Sequence, residues 1–433
     1  MSTYMSDAYI TQQAPIKVVV IHPVLPPGKA PKEAAKEVGI RDPQTALEEA
    51  VNLCQALPLD VLWSQQVNVR DVSPHTLLGK GKVAELRDVF AESGVELVVV
   101  NTRLHPSQQR NLELGLKTKV IDRTGLILEI FGERAQTHAG WLQVQLAQLQ
   151  YEASRLVRSW THLERQRGGL GKTGGPGERQ IELDKRLIQE QIDKIKKELA
   201  DVEKTRALHR KGRGQSDLPV VALVGYTNAG KSTLFNTLAE DEAFVKNMLF
   251  ATLDPLMRKV RLKSGREIIL SDTVGFVSAL PHELVQAFHA TLEEVLMADL
   301  LVHVQDASHP ERFAQEKDVA HVLKSIGAEN VPVVNVYNKQ DVPGAEQPDN
   351  TAVAVSAQTG AGLASLEAAI EAFFAKSEEI HHLEVPATEG RQLAWLHAHG
   401  DVKKMTLDDK EIYQVEVLLS PENAAFFHNH FAG

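Results

Sequence analysis

The chain has 433 residues, of which 43% are hydrophobic and 24% are charged, and its formal net charge is -10. This length fits a globular protein with about two to four domains. The polar N-terminal segment 1–16 lacks the pattern of a secretory signal, and the apolar runs are too short to span a bilayer. We therefore expect a cytoplasmic protein, with peripheral membrane association left open.

The cysteine content points to the same compartment. Cys54 is the one cysteine in the chain, so an intrachain disulfide and a cluster of thiolate metal ligands are both excluded. It lies in a stretch with helical amphipathic spacing. We interpret it as a small buried apolar residue and not as a reactive thiol.

The first region, residues 1–134, alternates strand-like and helix-like segments. Strands are predicted at 17–21, 60–63, 96–101 and 118–121, and helices at 44–57, 82–93 and 106–116. The glycine- and lysine-containing segment 79–82 is interpreted as a turn, with a contact to phosphate as the weaker alternative. Strand–helix alternation of this kind predicts an α/β domain with a mostly parallel sheet.

The second region, residues 135–213, has the most regular apolar spacing. Apolar residues recur in alternating steps of four and three at Leu142, Leu146, Leu149, Ala153, Leu156, Trp160 and Leu163, and resume the coiled-coil spacing at Ile181, Ile188, Ile192, Ile195, Leu199 and Val202. The glycine-rich segment 168–177 between the two sets cannot continue a helix. The sequence therefore predicts a long antiparallel helical hairpin with a glycine-rich tip, about 45 Å long.

The hairpin is also where positive charge is concentrated. Residues 155–213 hold 16 lysines and arginines against nine acidic residues, a local net charge of +7, which leaves -17 for the rest of the chain. A local basic element attracts phosphate backbones even in an acidic protein. We interpret the hairpin as an arm that reaches a partner; a structural coiled coil or a dimerisation element is the alternative.

The third region, residues 218–378, begins with an apolar strand at 220–224 followed by GYTNAGKS at 225–232. This is the phosphate-loop pattern in its strand–loop–helix setting. Lys231 is expected to reach the β- and γ-phosphates and the Ser232 hydroxyl to bind Mg²⁺. The nucleotide-contacting residues expected here are Gly225, Tyr226, Thr227, Asn228, Ala229, Gly230, Lys231, Ser232 and Thr233.

A second buried strand, at 268–271, ends in Asp272, Thr273, Val274 and Gly275. Asp272 is expected to hold Mg²⁺, and the Gly275 N–H to meet the γ-phosphate. The intervening segment Phe250, Ala251, Thr252, Leu253 and Asp254 is also expected at the nucleotide, with Thr252 joining Mg²⁺ only when the γ-phosphate is bound. The predicted magnesium ligands are thus Ser232, Thr252 and Asp272, and the predicted catalytic groups are Lys231, Thr252 and Gly275.

A third strand, at 331–337, ends in Asn338, Lys339, Gln340 and Asp341. A carboxylate can accept hydrogen bonds from both N1–H and the 2-amino group of guanine, whereas adenine offers no such pair of donors. Asp341 is therefore the predicted specificity residue, with Asn338 supporting the loop and Lys339 covering the base. A fourth strand, at 352–355, ends in Ser356, Ala357 and Gln358, whose backbone can face the guanine O6. Four strand ends would place these loops at one edge of a parallel sheet.

The last region, residues 380–433, is predicted to be a small α+β domain. A helix is predicted at 391–397 and a strand at 411–419.

The third region resembles a translation-factor-class GTPase domain, and the wider chain resembles the HflX family. The resemblance rests on TLLGKGK at 76–82, PSQQRNLE at 106–113, DRTGLIL at 122–128, QLAQL at 145–149, GPGE at 175–178 and FATLDP at 250–255. It implies a GTPase that uses GTP, GDP and Mg²⁺ and binds the large ribosomal subunit and its rRNA. It also implies that the hairpin and the first domain insert toward the peptidyl-transferase region, and that the GTP-bound protein splits stalled or idle ribosomes. We expect a monomer with no DNA partner.

One position departs from the common GTPase pattern. Many GTPases place a water-orienting glutamine directly after Asp-x-x-Gly, where this chain has Phe276. Slow intrinsic hydrolysis that a partner stimulates is therefore expected. We hypothesise that Asn228 helps to bind a K⁺ ion in place of an arginine finger, as in similar potassium-stimulated GTPases. Hydrogen bonding of Asn228 within its own loop is the alternative.

Two other functions share the same nucleotide site. A GTPase of tRNA or rRNA processing or modification would have the same loops, although no further catalytic motif is present in the first and last regions. A scaffold with a vestigial site is disfavoured because Lys231, Ser232, Thr252, Asp272 and Asp341 are all intact.

Overall fold

The computed structural model describes residues 15–26, 41–159, 176–213, 218–239, 256–278, 294–348, 351–376, 379–408, 410–419 and 421–431. Most of the glycine-rich tip lies outside these ranges, as do Phe250, Ala251, Thr252, Leu253 and Asp254. Among the described helices, none combines the length and the apolar character that a bilayer-spanning helix requires.

Four parallel strands form the N-terminal sheet, in the order β2-β1-β3-β4. They are β1 (Ile16–Val24), β2 (Leu59–Asn68), β3 (Leu97–Val100) and β4 (Lys119–Asp122), and the helices are α1 (Pro43–Gln55), α2 (Lys80–Ser93), α3 (Pro106–Leu116) and α4 (Arg123–Arg134). The predicted parallel α/β arrangement is confirmed.

The interpretation of 79–82 as a turn was wrong. Gly79 is the N-cap of α2 and the helix starts at Lys80, where Gly81 falls in the first turn. A Cβ on either glycine would meet nothing within 4 Å, so both positions are open. In the first turn of a helix, the low helix propensity of glycine is offset by the packing of the later turns.

Two long helices follow, α5 (His138–Ser159) and α6 (Pro176–Arg213). They pack against each other through a seam of Leu142, Leu146, Leu149 and Ala153 on α5 and Ile188, Ile192, Ile195, Leu199 and Val202 on α6. Every predicted seam residue whose side chain is described lies in this contact. The side chains of Leu156, Trp160, Leu163 and Ile181 are outside the described residues.

A six-stranded sheet carries the phosphate-loop motif, in the order β10-β9-β8-β5-β7-β6. Its strands are β5 (Val220–Gly225), β6 (Leu256–Arg261), β7 (Glu267–Asp272), β8 (Leu300–Asp306), β9 (Val333–Asn338) and β10 (Ala352–Ala354), and its named helices are α7 (Lys231–Leu238), α8 (Arg312–Ile326) and α9 (Leu363–Lys376). All neighbouring strands are parallel except β6 and β7, which are antiparallel.

The C-terminal part is a three-stranded antiparallel sheet, in the order β11-β13-β12, with two helices. The elements are β11 (Glu379–Pro386), α10 (Gly390–His399), β12 (Asp401–Leu407), β13 (Ile412–Leu419) and α11 (Pro421–Phe431). The sequence predicted α10 and β13, and it missed the other three elements.

The N-terminal sheet and the phosphate-loop sheet share apolar contacts. One cluster of buried side chains includes Val18 and Leu53 from the N-terminal region, Phe276 and Val277 from the segment after β7, and Val319 from α8. Cys54 lies in the same cluster, and burial raises the pKa of its thiol to about 12. A thiol in this environment stays protonated, in agreement with a packing role.

Candidate functional site

The carboxyl ends of the parallel strands meet at one edge of the six-stranded sheet. Leu223 in β5 pairs with Asp272, the last residue of β7, and Asp306 at the end of β8 pairs with Asn338 at the end of β9. Tyr337 in β9 pairs with Ala354 at the end of β10. The loops that follow these strands are therefore neighbours, as the sequence predicted.

The phosphate loop, residues 225–232, turns sharply between β5 and α7. Gly230 has φ +94°, and a Cβ there would lie 2.2 Å from the Asn338 Nδ2, so glycine is required both for conformation and for space. The Lys231 side chain is buried, and its Nζ donates to the Tyr226 carbonyl at 3.0 Å. Burial lowers the pKa of this ammonium to about 8, with Asp272 acting in the opposite direction. The cation is thus held against the loop that would wrap the phosphates.

Two predicted magnesium ligands are in contact. The Ser232 hydroxyl donates to Asp272 Oδ2 at 2.6 Å, and Asp272 is fully buried. A hydroxyl beside a carboxylate supplies the oxygen ligands that Mg²⁺ prefers, so these residues fit the ion. The third predicted ligand, Thr252, lies outside the described residues.

The segment after β7 packs directly on the phosphate loop. The Gly275 backbone lies over Lys231, since a Cβ on Gly275 would be 2.9 Å from the lysine Nζ. The Phe276 N–H donates to the Gly225 carbonyl at 3.1 Å, and the Thr227 N–H donates to the Phe276 carbonyl at 2.7 Å. Phe276 itself is buried in the apolar cluster, so its side chain cannot orient a water molecule.

Two predicted contact residues in this segment have side chains turned to the core. The Thr273 hydroxyl donates to the Leu223 carbonyl in β5 at 2.6 Å, and Val274 is buried in the apolar cluster. Their part in a nucleotide site is therefore limited to the backbone.

The loops expected at the base are connected through one side chain. Asn338 donates from Nδ2 to the Ala229 carbonyl at 2.8 Å and accepts at Oδ1 from the Ala357 N–H at 2.9 Å. It thereby joins the phosphate loop to the loop after β10. The Ser356 hydroxyl donates to Asp341 Oδ1 at 2.5 Å, and the exposed Asp341 can turn its other oxygen outward. Gln358 is also exposed.

Sequence reasoning missed a carboxylate of the N-terminal region that reaches this site. Glu49 on α1 accepts from the Tyr226 hydroxyl of the phosphate loop at 2.5 Å and from the Ser278 hydroxyl at 2.9 Å. The Ser278 N–H in turn donates to the Tyr226 hydroxyl oxygen at 2.6 Å. One largely buried carboxylate therefore contacts both the phosphate loop and the segment that follows Gly275.

Two arginines compensate this buried charge. Arg123 lies 3.1 Å from Glu49 Oε1 and donates to the Ser278 hydroxyl at 2.7 Å, and Arg41 lies 3.7 Å from Glu49 Oε2. Burial alone would raise the pKa of Glu49, but the two arginines and the hydrogen bonds outweigh it, and the pKa is lowered. Burial and the Glu49 charge raise the pKa of the Tyr226 hydroxyl, which stays a donor.

The phosphate loop, the Asp-x-x-Gly segment and the two base-side loops, in this order at one sheet edge, define a phosphate-loop GTPase domain. Three family models match the chain: "GTP-binding GTPase N-terminal" over 44–132, "GTP-binding GTPase Middle Region" over 134–213 and "50S ribosome-binding GTPase" over 220–339. GTPase HflX of Magnetococcus marinus is 47% identical over 398 residues, which cover 90% of each protein. GTPase HflX of Escherichia coli is 45% identical over 379 residues, which cover 86% of this chain and 89% of the relative. The chain belongs to the HflX family of GTPases.

Proposed function

We propose that this GTPase acts on the ribosome: its GTP-bound form engages the large subunit and rRNA through the helical hairpin and splits stalled or idle ribosomes. The family model over 220–339 is described as ribosome-binding, which supports the large subunit as the target. The observation on this chain that carries the proposal is the exposed positive charge of α6.

The cations of α6 whose side chains the structure describes are open to solvent. The side chains of Arg186, Lys194 and Lys204 are 77%, 78% and 76% exposed. Each has an acidic neighbour on the same helix: Arg186 with Glu190, Lys194 with Glu198 and Lys204 with Asp201. Exposed pairs of this kind contribute only about 0.2–1 kcal/mol, so rRNA phosphates can compete for these cations.

The helix is long enough to act as an arm. Its 38 residues correspond to about 57 Å at a rise of about 1.5 Å per residue. The packing seam with α5 stiffens the helix along residues 188–202. Such an element can carry its tip well beyond the surface of a domain.

A contiguous set of polar contacts joins the nucleotide site to the hairpin. Ser278, three residues after Gly275, accepts a hydrogen bond from Arg123. Asp122, the neighbour of Arg123 in sequence, accepts hydrogen bonds from two residues of α5, Arg155 and Tyr151, each at 2.6 Å. A shift of the Asp-x-x-Gly segment on γ-phosphate binding would thus act on the base of the arm. This connection supports a nucleotide-dependent engagement of the partner.

Within the nucleotide site, we propose the roles that the sequence predicts. Lys231 binds the β- and γ-phosphates, Ser232 and Asp272 bind Mg²⁺ together with Thr252, and Gly275 senses the γ-phosphate. Asp341 reads guanine, with Asn338 and Lys339 supporting it. Magnesium would neutralise phosphate charge during transfer to water.

The partner test is cofractionation on sucrose gradients with GTP, GDP or a non-hydrolysable GTP analogue. We expect comigration with large subunits with the analogue and weak comigration with GDP. Deleting residues 168–177 should leave nucleotide affinity unchanged and reduce comigration by about tenfold or more, because the arm loses its glycine-rich tip, which carries Lys172. Light scattering of intact ribosomes should fall after addition of the intact protein with the analogue.

Three results would contradict this proposal. The first is comigration with large subunits that is equal in GTP, GDP and the analogue. The second is a deletion variant whose GTP hydrolysis is stimulated by ribosomes as strongly as that of the intact protein. The third is binding restricted to tRNA, which would favour a processing GTPase. The control is a variant in which a Gly-Ser segment of equal length replaces residues 168–177. It separates the loss of the tip's charge from the loss of the connection between α5 and α6.

We also propose that Asn228 binds K⁺ next to the phosphates. Asn228 has φ +61° and an exposed side chain, and within the described residues this side chain forms no hydrogen bond to its own loop. We expect GTP turnover at least about tenfold faster in K⁺ than in Na⁺, because a cation at this position would stabilise charge developing in the transition state. The Asn228→Ala variant should lose the difference, and the exposed Asn330→Ala variant should retain it. Equal rates of the intact protein in both salts would refute the role.

A further inference from the structure

A buried arginine outside the nucleotide motifs contacts the segment that reads the base. We call residues 338–346 the guanine-recognition loop. Arg312, the first residue of α8, is 2% exposed. Its Nε and Nη2 donate to the two carboxylate oxygens of Glu346, each at 2.9 Å, and its Nη1 donates to Gln305 Oε1 at 2.6 Å. Two parallel hydrogen bonds to one carboxylate are a geometry that arginine provides and lysine cannot.

The same guanidinium also contacts the start of the loop. Its central carbon lies 4.2 Å from the centroid of the Tyr337 ring, and Tyr337 directly precedes Asn338. Arg312 therefore holds the residue before the guanine-recognition loop and the residue that ends it. The Glu346 N–H donates to the Ala307 carbonyl at 2.8 Å, and Gln340 Nε2 donates to the Glu346 carbonyl at 2.9 Å.

The loop requires such support. Lys339 has φ +64°, an unfavourable conformation for a residue with a Cβ, and its Nζ is held by Asp306 Oδ2 at 2.7 Å. Asp341 is exposed, and the contact that orients its carboxylate comes from Ser356. Selective binding needs both guanine donors to meet this carboxylate at once, and a displacement of about 1 Å can cost about a hundredfold.

We propose that Arg312 and Glu346 are positioning residues for guanine selectivity. The double hydrogen bond between them fixes the backbone of the guanine-recognition loop, so that Asp341 meets N1–H and the 2-amino group together. The inference rests on the role proposed above for Asp341.

A different result is expected if the Arg312–Glu346 pair only stabilises the folded protein. Loss of folded protein lowers the apparent affinity for every nucleotide by the same factor. Displacement of the guanine-recognition loop lowers the affinity for GDP more than the affinity for IDP, because the hypoxanthine base of IDP lacks the 2-amino donor. The ratio of the Kd values for IDP and GDP therefore separates the two roles. The Glu346 side chain is 45% exposed, so truncating it leaves no new buried cavity.

The experiment measures this ratio by calorimetry for the full-length protein and its variants. Glu346→Ala and Arg312→Lys should each lower the ratio by about tenfold, because both remove the double hydrogen bond. Glu346→Gln, which keeps one acceptor oxygen, should lie between these variants and the unsubstituted protein.

The matched control is Glu371→Ala. It breaks another arginine–glutamate pair of this domain, Arg266 with Glu371 at 3.0 Å, which also lies near an aromatic ring, that of Phe374. Arg266 directly precedes β7 and so lies at the opposite sheet edge. This variant should keep the ratio of the unsubstituted protein.

Two results would overturn the inference while leaving Asp341 in its role. In the first, Glu346→Ala keeps the ratio of the unsubstituted protein. In the second, Glu346→Ala raises the Kd of GDP and of IDP by one common factor. An unsubstituted protein that does not distinguish the two nucleotides would instead refute the role of Asp341, and the inference with it.

Discussion

Replacing Lys231 with alanine is expected to abolish productive GTP binding. The lysine is buried beneath Gly275 and is held within the phosphate loop by the Tyr226 carbonyl. Bound phosphates would replace this carbonyl as partner of the ammonium, and removing one member of a buried charge pair costs about 2–5 kcal/mol. We expect a loss of GTP affinity of about thirtyfold to several thousandfold, measured by calorimetry or by fluorescence of a labelled nucleotide.

A second lysine of the same domain provides the control. Lys317 is an exposed residue of α8, and its replacement by alanine should leave the Kd of GTP unchanged. Circular dichroism at the temperature of the binding experiment would confirm that both variants are folded. GTP binding by a folded Lys231→Ala protein with the affinity of the Lys317→Ala protein would show that the phosphates lie elsewhere.

Replacing Asp341 with asparagine is expected to change the preferred base from guanine to xanthine. The substitution removes two hydrogen bonds to a charged acceptor, each worth about 1.5–3 kcal/mol, so GDP affinity should fall by at least about a hundredfold. The new amide can donate to the O2 of xanthine, and XDP should then bind more tightly than GDP. The measurement is a competition of GDP and XDP for the variant.

The surrounding contacts make this substitution informative. Ser356 holds one carboxylate oxygen of Asp341 at 2.5 Å, and an asparagine oxygen can accept the same bond, so the loop should keep its position. Glu329→Gln, an exposed change in the same domain, should retain the guanine preference. Strict selectivity for GDP in the Asp341→Asn protein would refute the role assigned to this carboxylate.

The nucleotide motifs were predictable from sequence because each is short and contiguous. A buried strand followed at once by a polar or glycine-rich loop is a local pattern, and parallel strands bring such loops to one edge. The phosphate loop and the loops that begin at Asp272, Asn338 and Ser356 accordingly follow β5, β7, β9 and β10. The helical hairpin was equally accessible because its apolar spacing repeats over many turns.

The contacts made by Glu49 could not be predicted in this way. Glu49 is 177 residues from Tyr226 and 229 residues from Ser278, and it lies on a helix that contains a second glutamate, Glu48. Local spacing contains no information about which of them faces a second sheet. The Arg312–Glu346 pair is similar, since an arginine at the start of a helix is ordinarily a solvent-exposed residue.

The C-terminal elements were missed for another reason. β11 contains His381 and His382 and has only Leu383 and Val385 facing the core, so its alternation is short. β12 has exposed apolar side chains at Met405 and Leu407, which weakens the contrast between its two faces. Antiparallel pairing with β13 stabilises both strands, and this contribution is tertiary.

We propose that one pocket binds a guanine nucleotide with magnesium and that Asp341 selects the base. Calorimetry of the unsubstituted protein with GDP and with ADP, each in the presence of Mg²⁺, tests it most directly. Adenine lacks both donors, and each lost hydrogen bond to a charged acceptor is worth about 1.5–3 kcal/mol, so GDP should bind at least about a hundredfold more tightly than ADP. Equal Kd values for the two nucleotides would contradict the account.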